Sequence, residues 1–402
     1  MVTEAKNQIK RRTFMQATAG VSAAALAHAQ KARAAHHEKI RLAILGCGGR
    51  GNWIAKLFND HGGYEITAVA DYFPERAKKC GDNFGVPANR QFGTLSGYKR
   101  AIELADVDAV AIITPPYFHP EQATLAVEAD KHVYLAKPIA VDVPGVMTVE
   151  KTAETAKAKK LGFLIDFQTR ANEAYIEAIN RIQNGAIGEY TFGEAAYHAN
   201  RLGVQEPNDG TPEGRLRNWV FDIPLSGDIL VEQNIHSLDV MSWIMKTPPK
   251  SVSGLCGRKS RTDVGNCNDH FALLYQYPND VGYTFTSKQY KDGTQDRGIT
   301  CDIFGANGKA TTKYAGDVIV YGKDFYRGKS ANLYASGAIN NIAEFHRQVT
   351  ESDLNYDTVP ESVRSHVTAI MGRIAAYEKR AVTWDQALKS SAMDADLKGL
   401  KA

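Results

Sequence analysis

The stretch "LAILGCGGRG", residues 42–51, decides the fold of the N-terminal part of the chain. An apolar run ends at a glycine, and Gly46, Gly48 and Gly51 give the spacing G-x-G-x-x-G where a helix should begin. The three glycines allow a tight turn, close approach of backbone to a pyrophosphate, and close packing of helix on strand. The unpaired N–H groups of the helix would face the phosphates. The stretch therefore predicts a dinucleotide-binding turn.

The residues next to these glycines extend the prediction. Gly49 and Arg50 lie inside the turn, and Arg50 adds positive charge near the phosphates. Asp71 follows 20 residues after Gly51, at the end of the next apolar run. A carboxylate there can accept hydrogen bonds from both ribose hydroxyls and repels a 2′-phosphate, which favours NAD over NADP. The alternative is a glycine turn of another α/β fold, in which Asp71 caps the next helix.

Apolar runs and helical patterns alternate over the first part of the chain. This alternation predicts a doubly wound parallel sheet, and so an NAD-binding Rossmann domain over residues 39–168. Shorter strand-like runs follow, which predict a C-terminal α+β domain over residues 169–385 with an open, mostly antiparallel sheet. Such a sheet offers a broad face for contacts between subunits, so we expect a homo-oligomer.

Two further segments end predicted strands at the carboxyl edge of the parallel sheet, where ligands bind in such folds. Thr114 and Pro115 close one strand, and His119 follows, either as a cofactor contact or as a packed or capping residue. Lys137, preceded by Ala136 and followed by a proline, closes another. A lysine fixed at this edge would point into the cofactor cleft.

Four pieces of the sequence resemble the Gfo/Idh/MocA family of sugar and cyclitol oxidoreductases. They are "GCGGRG", "VAD", "TPPYFHPEQATLAVEADKHVYLAKP" and "GDILVEQNIHSLDVMSW". The resemblance covers nearly all of the chain after residue 39 and implies a carbohydrate or cyclitol substrate. The family usually has Glu-Lys-Pro where this chain has Ala136-Lys137-Pro138, so the lysine is kept and its acidic neighbour is lost.

The last of these pieces contains Glu232 and His236, where the family usually has an Asp four residues before a His. Four residues apart on one helix, both side chains face the same way. The resemblance places them over the nicotinamide, with Asn234 beside the substrate. An exposed ion-pairing couple is the alternative, but the surrounding sequence is too apolar for an exposed helix. A zinc site would need a third ligand, and none is evident, so we expect no metal.

Oxidation of a secondary alcohol requires a base for the hydroxyl proton, and His236 has a suitable intrinsic pKa. Lys137 could hold the substrate oxygen or relay the proton, and Glu232 could orient the imidazole or bind a second hydroxyl. The remaining candidates are Gln168 at the cofactor and Arg170, Arg217 and Trp219 at the substrate. Gln168 and Arg170 are expected at the cleft rim, whereas the segment around Arg217 and Trp219 could equally be a solvated surface loop.

The N-terminus indicates export. Arg11 and Arg12, followed by Thr13 and Phe14 and then by an Ala-rich segment, resemble a twin-arginine signal peptide over residues 1–34, whose export machinery carries folded proteins. The alternative is a cytosolic tail. This segment holds six of the 48 Lys and Arg residues but only one of the 45 acids. The remainder is slightly acidic, which argues against a nucleic-acid or anionic-membrane partner.

Other features exclude further classes of protein. Five scattered cysteines do not suggest a disulfide framework. No apolar run of about 20 residues follows the leader, so no membrane span is expected in the mature chain.

Export to the periplasm constrains the mechanism, because free nicotinamide cofactor is not kept there. We therefore expect NAD to be inserted before export and held tightly. Three enzymatic classes remain open: transfer of the hydride to a second sugar, redox-neutral glycosidic cleavage, and oxidation of a glycoside with an external acceptor. Outside enzymes, a sugar-binding or sensor protein is the alternative.

Overall fold

The computed structural model describes residues 39–291 and 298–402. The expected signal peptide, residues 1–34, lies outside the described residues. Residues Arg41–Ala402 form one compact unit, which contains the candidate site.

A six-stranded parallel sheet forms the N-terminal part. Its strands are β1 (Ile40–Leu45), β2 (Tyr64–Ala70), β3 (Gln91–Phe92), β4 (Ala109–Ile112), β5 (His132–Ala136) and β6 (Phe163–Asp166). Their spatial order is β3-β2-β1-β4-β5-β6, the order of a Rossmann fold, with its switch point between β1 and β4. This confirms the predicted doubly wound sheet.

Helices cover both faces of this sheet and bury its central strands. They are α1 (Gly49–His61), α2 (Pro74–Asn83), α3 (Gly97–Ile102), α4 (His119–Glu128) and α5 (Val143–Ala158). Every residue of β4 is buried, as expected for a parallel strand with helices on both sides. The short strand β3 and helix α3 were not predicted from the sequence.

The C-terminal part is built on a nine-stranded sheet with helices on one side. Its elements are α6 (Glu173–Gln183), β7 (Tyr190–Ala199), α7 (Pro212–Arg217), α8 (Ile223–Ser226), α9 (Asp228–Glu232), α10 (Ile235–Met245), β8 (Ser251–Gly257), β9 (His270–Gln276), β10 (Gly282–Gln289), β11 (Gly298–Gly305), β12 (Gly308–Lys313), β13 (Asp317–Tyr321), β14 (Tyr326–Lys329), α11 (Leu333–Glu351), α12 (Val359–Glu378), β15 (Val382–Thr383) and α13 (Trp384–Leu388).

The strand order is β14-β13-β12-β11-β7-β10-β9-β8-β15. The pair β7–β10 is parallel, and the other characterised pairs are antiparallel. This confirms the predicted mostly antiparallel sheet. None of the helices in the described ranges has the length and hydropathy that crossing a bilayer requires.

Helix α12 joins the two parts. It is buried over most of its length and packs against α10 and β8 of the second part and against α5 of the first. This packing fixes the carboxyl end of β5, where Lys137 lies, relative to α9 and α10, where Glu232 and His236 lie.

Candidate active site

The glycine turn has the geometry that a dinucleotide requires. Gly46 has φ of +92°, and a Cβ there would lie 2.7 Å from the carbonyl carbon of Ile113. A Cβ on Gly51 would lie 1.8 Å from the Gly46 oxygen, so helix and strand meet too closely for any side chain. Around Gly49 the space is open to 4 Å. The first and third glycines of the motif are therefore needed for packing, and the middle of the turn leaves room for a ligand.

The start of helix α1 fits an anion. Its N-cap is Gly48, no side chain caps the first turn, and no acidic residue lies there. Unpaired N–H groups and the positive end of the helix dipole therefore face the open space of the turn. These residues fit the pyrophosphate of NAD.

Asp71 follows the last residue of β2, and its carboxylate can accept hydrogen bonds from a ribose. Its Oδ2 accepts the N–H of Cys47 at 2.7 Å, and its Oδ1 accepts that of Phe73 at 2.9 Å. Burial raises the pKa of Asp71, although these two N–H groups oppose the shift. Each carboxylate oxygen keeps a lone pair for a ribose hydroxyl. Helix α2 begins with Phe73 as N-cap and has no side-chain cap, so Asp71 is not its cap.

A cavity beside Asp71 extends the site toward the adenosine end. Thr114 and Pro115 line it, together with Gly46 and Gly48. The other lining residues are Ala70, Asp71, Tyr72, Phe73, Arg76, Thr94, Leu95, Tyr98, Ile113, Phe118, Gln122, Leu216 and Trp219.

Two residues expected at the substrate lie instead at this adenosine end. Trp219 lines the cavity beside Asp71. The guanidinium of Arg217 lies 3.9 Å from the ring centre of Phe73 and donates to Glu75 at 2.9 Å. The cause is the course of the segment after β7, which packs against the start of α2 and not against the catalytic end.

Lys137 and Glu232 meet at the opposite end of the cleft. The Lys137 Nζ donates to the backbone oxygen of Glu232 at 2.7 Å and lies 3.5 Å from its Oε1. The two side chains are 10% and 12% exposed. Burial lowers the pKa of Lys137, although the Glu232 carboxylate opposes the shift.

The structure corrects the prediction that Glu232 and His236 share one continuous helix. Helix α9 ends at Glu232, and α10 begins at Ile235. In a continuous helix the Glu232 oxygen would accept the His236 N–H. Instead it accepts the Lys137 Nζ, and the His236 N–H donates to Gln233. Lys137 therefore donates to the oxygen that would accept a hydrogen bond in a continuous helix. The break between α9 and α10 brings Lys137, Glu232 and His236 to the cleft.

His236 is held neutral. It is 8% exposed, and burial lowers its pKa well below 6.5, with the positive charges of Lys137 and Arg50 adding to the shift. Its ring lies 5.4 Å from that of Tyr314. A neutral imidazole can accept a proton at pH 7, as a general base must.

Within the described residues, five of the buried polar atoms that have no protein partner belong to this region. They are Glu232 Oε2, both amide atoms of Asn234, His236 Nδ1 and Gln289 Oε1. Such atoms are rare in folded proteins, and here they mark surfaces that a ligand or water can satisfy. Gln289, whose Nε2 donates to Gln233, was missed by the sequence-based analysis because a lone glutamine on a strand carries no motif.

Arg50 is positioned differently from the prediction. Its guanidinium donates to Asp166 at 2.5 Å and lies over the rings of Trp53 and Tyr334. Burial is the largest influence and works against its charge, but Asp166, Tyr334 and Tyr134 together outweigh burial, and the pKa of Arg50 is raised. Because the buried Asp166 carboxylate holds the guanidinium, the positive charge of Arg50 lies at the carboxyl end of β6. This charge also lowers the pKa of His236.

Ala136 and His119 are buried residues beside the cleft. Ala136 ends β5. The ring nitrogens of His119 lie 2.7 Å from the Pro138 oxygen and 2.8 Å from the Thr114 oxygen. His119 therefore connects the two loops that carry Thr114 and Lys137, as the packed alternative proposed, and is not placed to contact the cofactor.

Gln168 and Arg170 do not reach the cleft rim. Gln168 is fully buried, with its Nε2 3.3 Å from Asp166. Arg170 donates to Asp239 at 2.8 Å and also to Glu361. Burial opposes the charge of Arg170, but the two carboxylates outweigh it and its pKa is raised. The chain turns inward after β6 because these acids hold Arg170 inside the protein.

In residues 39–291 and 298–402, no cluster of three or more His, Cys, Asp or Glu side chains could hold an ion.

Two models of one family match the chain. The first, described as an oxidoreductase family with an NAD-binding Rossmann fold, matches residues 40–163. The second, the C-terminal domain of the Gfo/Idh/MocA family, matches residues 175–311. Together they cover well over half of the chain.

Curated relatives carry two kinds of name. A "Glycosyl hydrolase family 109 protein" of Porphyromonas gingivalis is 27% identical over 244 residues, which span 56% of this chain and 49% of that protein. An "Inositol 2-dehydrogenase" of Salmonella typhimurium is 26% identical over 297 residues, which span 70% of this chain and 80% of that protein. The chain thus matches about half the length of the first relative and most of the second.

Solved structures share the fold. A levoglucosan dehydrogenase in complex with NADH and levoglucosan superposes with a TM-score of 0.70 at 17% identity, covering 87% of this chain and 100% of that one. An aldose–aldose oxidoreductase from Caulobacter crescentus, complexed with glycerol, gives 0.68 at 20% identity, covering 86% and 99%.

The glycine turn, the Asp71 carboxylate and the order of the six parallel strands agree with the match to the NAD-binding Rossmann model. The chain belongs to the Gfo/Idh/MocA oxidoreductase family and uses NAD as its cofactor.

Proposed function

We propose that this protein oxidises a hydroxyl group of a sugar, glycoside or cyclitol, with tightly held NAD as the hydride acceptor. The observation that carries the proposal is the convergence of Lys137, Glu232 and His236 at the carboxyl edge of the sheet. The names of the relatives support the substrate class, since they include an inositol dehydrogenase and a levoglucosan dehydrogenase.

The three residues have distinct tasks in this reaction. His236 is neutral and accepts the proton of the substrate hydroxyl. Lys137, oriented by the Glu232 carbonyl, has N–H groups left for the substrate oxygen and stabilises the negative charge that develops there. The free Oε2 of Glu232 accepts a second hydroxyl of the substrate. When bound, NAD supplies the carbon that takes the hydride.

Redox-neutral glycosidic cleavage is the second candidate. It is favoured by the relative from Porphyromonas gingivalis, whose name is that of a glycosyl hydrolase family. The same lysine and histidine would serve, because that reaction also begins by removing a hydride from a sugar carbon and a proton from the hydroxyl group on that carbon. The two candidates differ in product: one leaves a ketone or lactone, the other frees the aglycone.

The decisive experiment uses the purified full chain. Denaturation should release about one nicotinamide dinucleotide per chain, measured by absorbance and mass spectrometry. The folded protein is then incubated with free sugars, cyclitols and aryl glycosides, with and without a second sugar or an artificial electron acceptor that takes the hydride from the bound cofactor. Accumulation of a ketone or lactone supports the oxidoreductase, and release of phenol without net NADH supports the glycosidase. Absence of turnover across the panel, with NAD bound, would point to a binding or sensor protein.

We further propose that the protein is exported to the periplasm by the twin-arginine machinery. The support is the sequence around Arg11 and Arg12. Cell fractionation of the wild type and of an Arg11→Lys, Arg12→Lys variant tests it. The wild type should be periplasmic and the variant should stay in the cytoplasm; equal distribution of both contradicts export by this route.

The exposed face of the nine-stranded sheet supports a homo-oligomer. Phe192 is 45% exposed, Leu255 60% and Leu274 40%, and all three lie on strands of this sheet. Apolar side chains on an open sheet face suit a subunit interface. Light scattering coupled to gel filtration measures the mass, and a monomeric mass at micromolar concentration contradicts the proposal.

A further inference from the structure

A small apolar cluster covers the adenosine end of the cleft. Phe73, Leu216, Leu225 and Ala395 form it, and it is separate from the main hydrophobic core. Its members come from three distant segments: the start of α2, the segment after β7, and the C-terminal tail. Two of them, Phe73 and Leu216, also line the cavity beside Asp71.

The C-terminal tail holds other residues of the same cavity. The N–H of Lys401 donates to the hydroxyl oxygen of Tyr72 at 3.1 Å, and the Lys401 oxygen accepts the N–H of Leu95 at 3.0 Å. Tyr72 and Leu95 both line the cavity. Leu397 and Leu400 pack, partly buried, against the apolar cluster. The tail therefore braces one wall of the adenosine pocket.

The segment after β7 closes the pocket from the other part of the molecule. Arg76 donates to Gln205 at 2.6 Å, and the Tyr72 hydroxyl donates to Glu213 at 2.8 Å. The Arg217 guanidinium lies over Phe73. Each of these contacts joins the cofactor-binding part to residues 205–219, so the pocket cannot open fully while they hold.

We infer that residues 205–219 and 393–401 form a retention strap, which completes the adenosine half of the NAD site and slows cofactor release. Asp71 and the glycine turn place the adenosine at this end of the cleft. The strap has its own small cluster and few buried side chains, so it can open locally without unfolding the rest. Contacts of this kind act mainly on the rate of dissociation. The inference rests on the proposed function only in assuming that NAD is held tightly.

The experiment measures release of NAD from the full chain. Leu397→Ser combined with Leu400→Ser removes the apolar contacts of the tail, and a second variant lacks residues 390–402. The matched control is Lys398→Ser, whose exposed side chain lies between the two leucines. Each protein is loaded with NAD and chased with excess fluorescent 1,N6-etheno-NAD. We expect about tenfold faster release or more from the double variant and the truncation, since that is the effect of losing one leucine contact.

The outcomes separate this inference from the proposed function. Release as slow as wild type from both altered proteins, with unchanged circular dichroism, overturns the strap. Turnover is assayed in parallel with saturating added NAD. Fast release with intact turnover supports both ideas, whereas a wild type that retains NAD but turns over no carbohydrate contradicts the proposed function alone. Hydrogen exchange gives a second readout: NAD should slow exchange in residues 393–401, and unchanged exchange there also counts against the strap.

Discussion

Two buried polar clusters of this protein differ in how completely their atoms are paired. In the first, the Arg170 cluster, Arg170 donates to Asp239 and Glu361, and Ser365 donates to Asp239 at 2.7 Å. In the second, the Lys137 cluster, Lys137 and Glu232 contact one another, but Glu232, Asn234 and His236 all keep buried atoms without partners.

The difference separates a structural role from a functional one. A buried charge with all its partners present holds segments of the fold together, and losing one partner leaves the others uncompensated. Buried polar atoms without partners cost stability, so the presence of several of them beside the cofactor cleft indicates groups kept for a ligand. Changes in the Arg170 cluster should therefore affect unfolding, and changes in the Lys137 cluster should affect turnover.

The largest effect is expected for Arg170→Met. It leaves Asp239 buried without its guanidinium, which should lower the free energy of unfolding by about 3–5 kcal/mol. Urea denaturation measures this. Arg201→Met is the control, because Arg201 pairs with Asp263 at the surface and should cost at most about 1 kcal/mol. Equal losses of unfolding free energy in both variants would contradict the structural role of the Arg170 cluster.

Lys137→Met should act on catalysis instead. Loss of the group that stabilises the substrate oxygen should lower kcat/KM by about 10²- to 10³-fold. The loss of stability should be smaller than for Arg170→Met, because Glu232 is 12% exposed whereas Asp239 is fully buried. Lys131→Met is the matched control, since Lys131 is also buried and donates to the backbone oxygens of Leu104 and Val107. Full turnover in the Lys137 variant would end its assignment as a catalytic residue.

A fully paired histidine, His366, offers a test by pH. Its Nε2 accepts the N–H of Ile139 and its Nδ1 lies 2.6 Å from the Ser362 oxygen, while burial lowers its pKa to about 3. In the unfolded chain His366 takes up a proton near pH 6.5, whereas in the folded chain it stays neutral until the pH is much lower. Stability therefore falls as the pH drops below 6.5, by up to about 1.4 kcal/mol per unit.

The His366→Gln variant lacks this contribution. Its free energy of unfolding should change less steeply than that of the wild type between about pH 6.5 and 4. Parallel slopes in the two proteins, measured by urea denaturation at each pH, would show that His366 is not the titrating group.

The smallest effect on stability is expected for Asn234→Ala. Its amide atoms have no protein partner, so truncation should cost less than about 1 kcal/mol while weakening NAD or substrate binding. Asn341→Ala is the control, because the Asn341 amide donates to the buried Asp166 at 2.8 Å and its loss should cost about 1–3 kcal/mol. The reverse order of stabilities would contradict the idea that Asn234 is reserved for a ligand.

The cofactor half was largely predictable because its signals are local. The Gly46–Gly51 spacing, the position of Asp71 and the buried strand runs each depend on neighbouring residues, and the structure has the expected sheet. The positions of Thr114 and Lys137 at strand ends were predictable for the same reason.

Contacts between residues distant in the chain determine the features that could not be predicted from the sequence. Arg170 follows a strand of the cleft, and only its distant partners Asp239 and Glu361 reveal that it points inward. The break between α9 and α10 depends on a lysine from another part of the chain. Trp219 has the composition of a sugar contact, but the course of the segment after β7 takes it to the adenosine pocket.

The parallel pairing of β7 with β10 has a consequence for how the molecule is made. The chain must complete residues 200–281, which include α9 and α10, before β10 can dock beside β7. Every strand of the cofactor sheet has left the ribosome by then, since that sheet ends at β6. A polypeptide cut short anywhere in this crossover would keep all six strands of the cofactor sheet and the glycine turn, but it would lack residues 393–401 and the central pairing of its second sheet. A nascent chain therefore contains every strand of the cofactor sheet well before it can complete its second sheet.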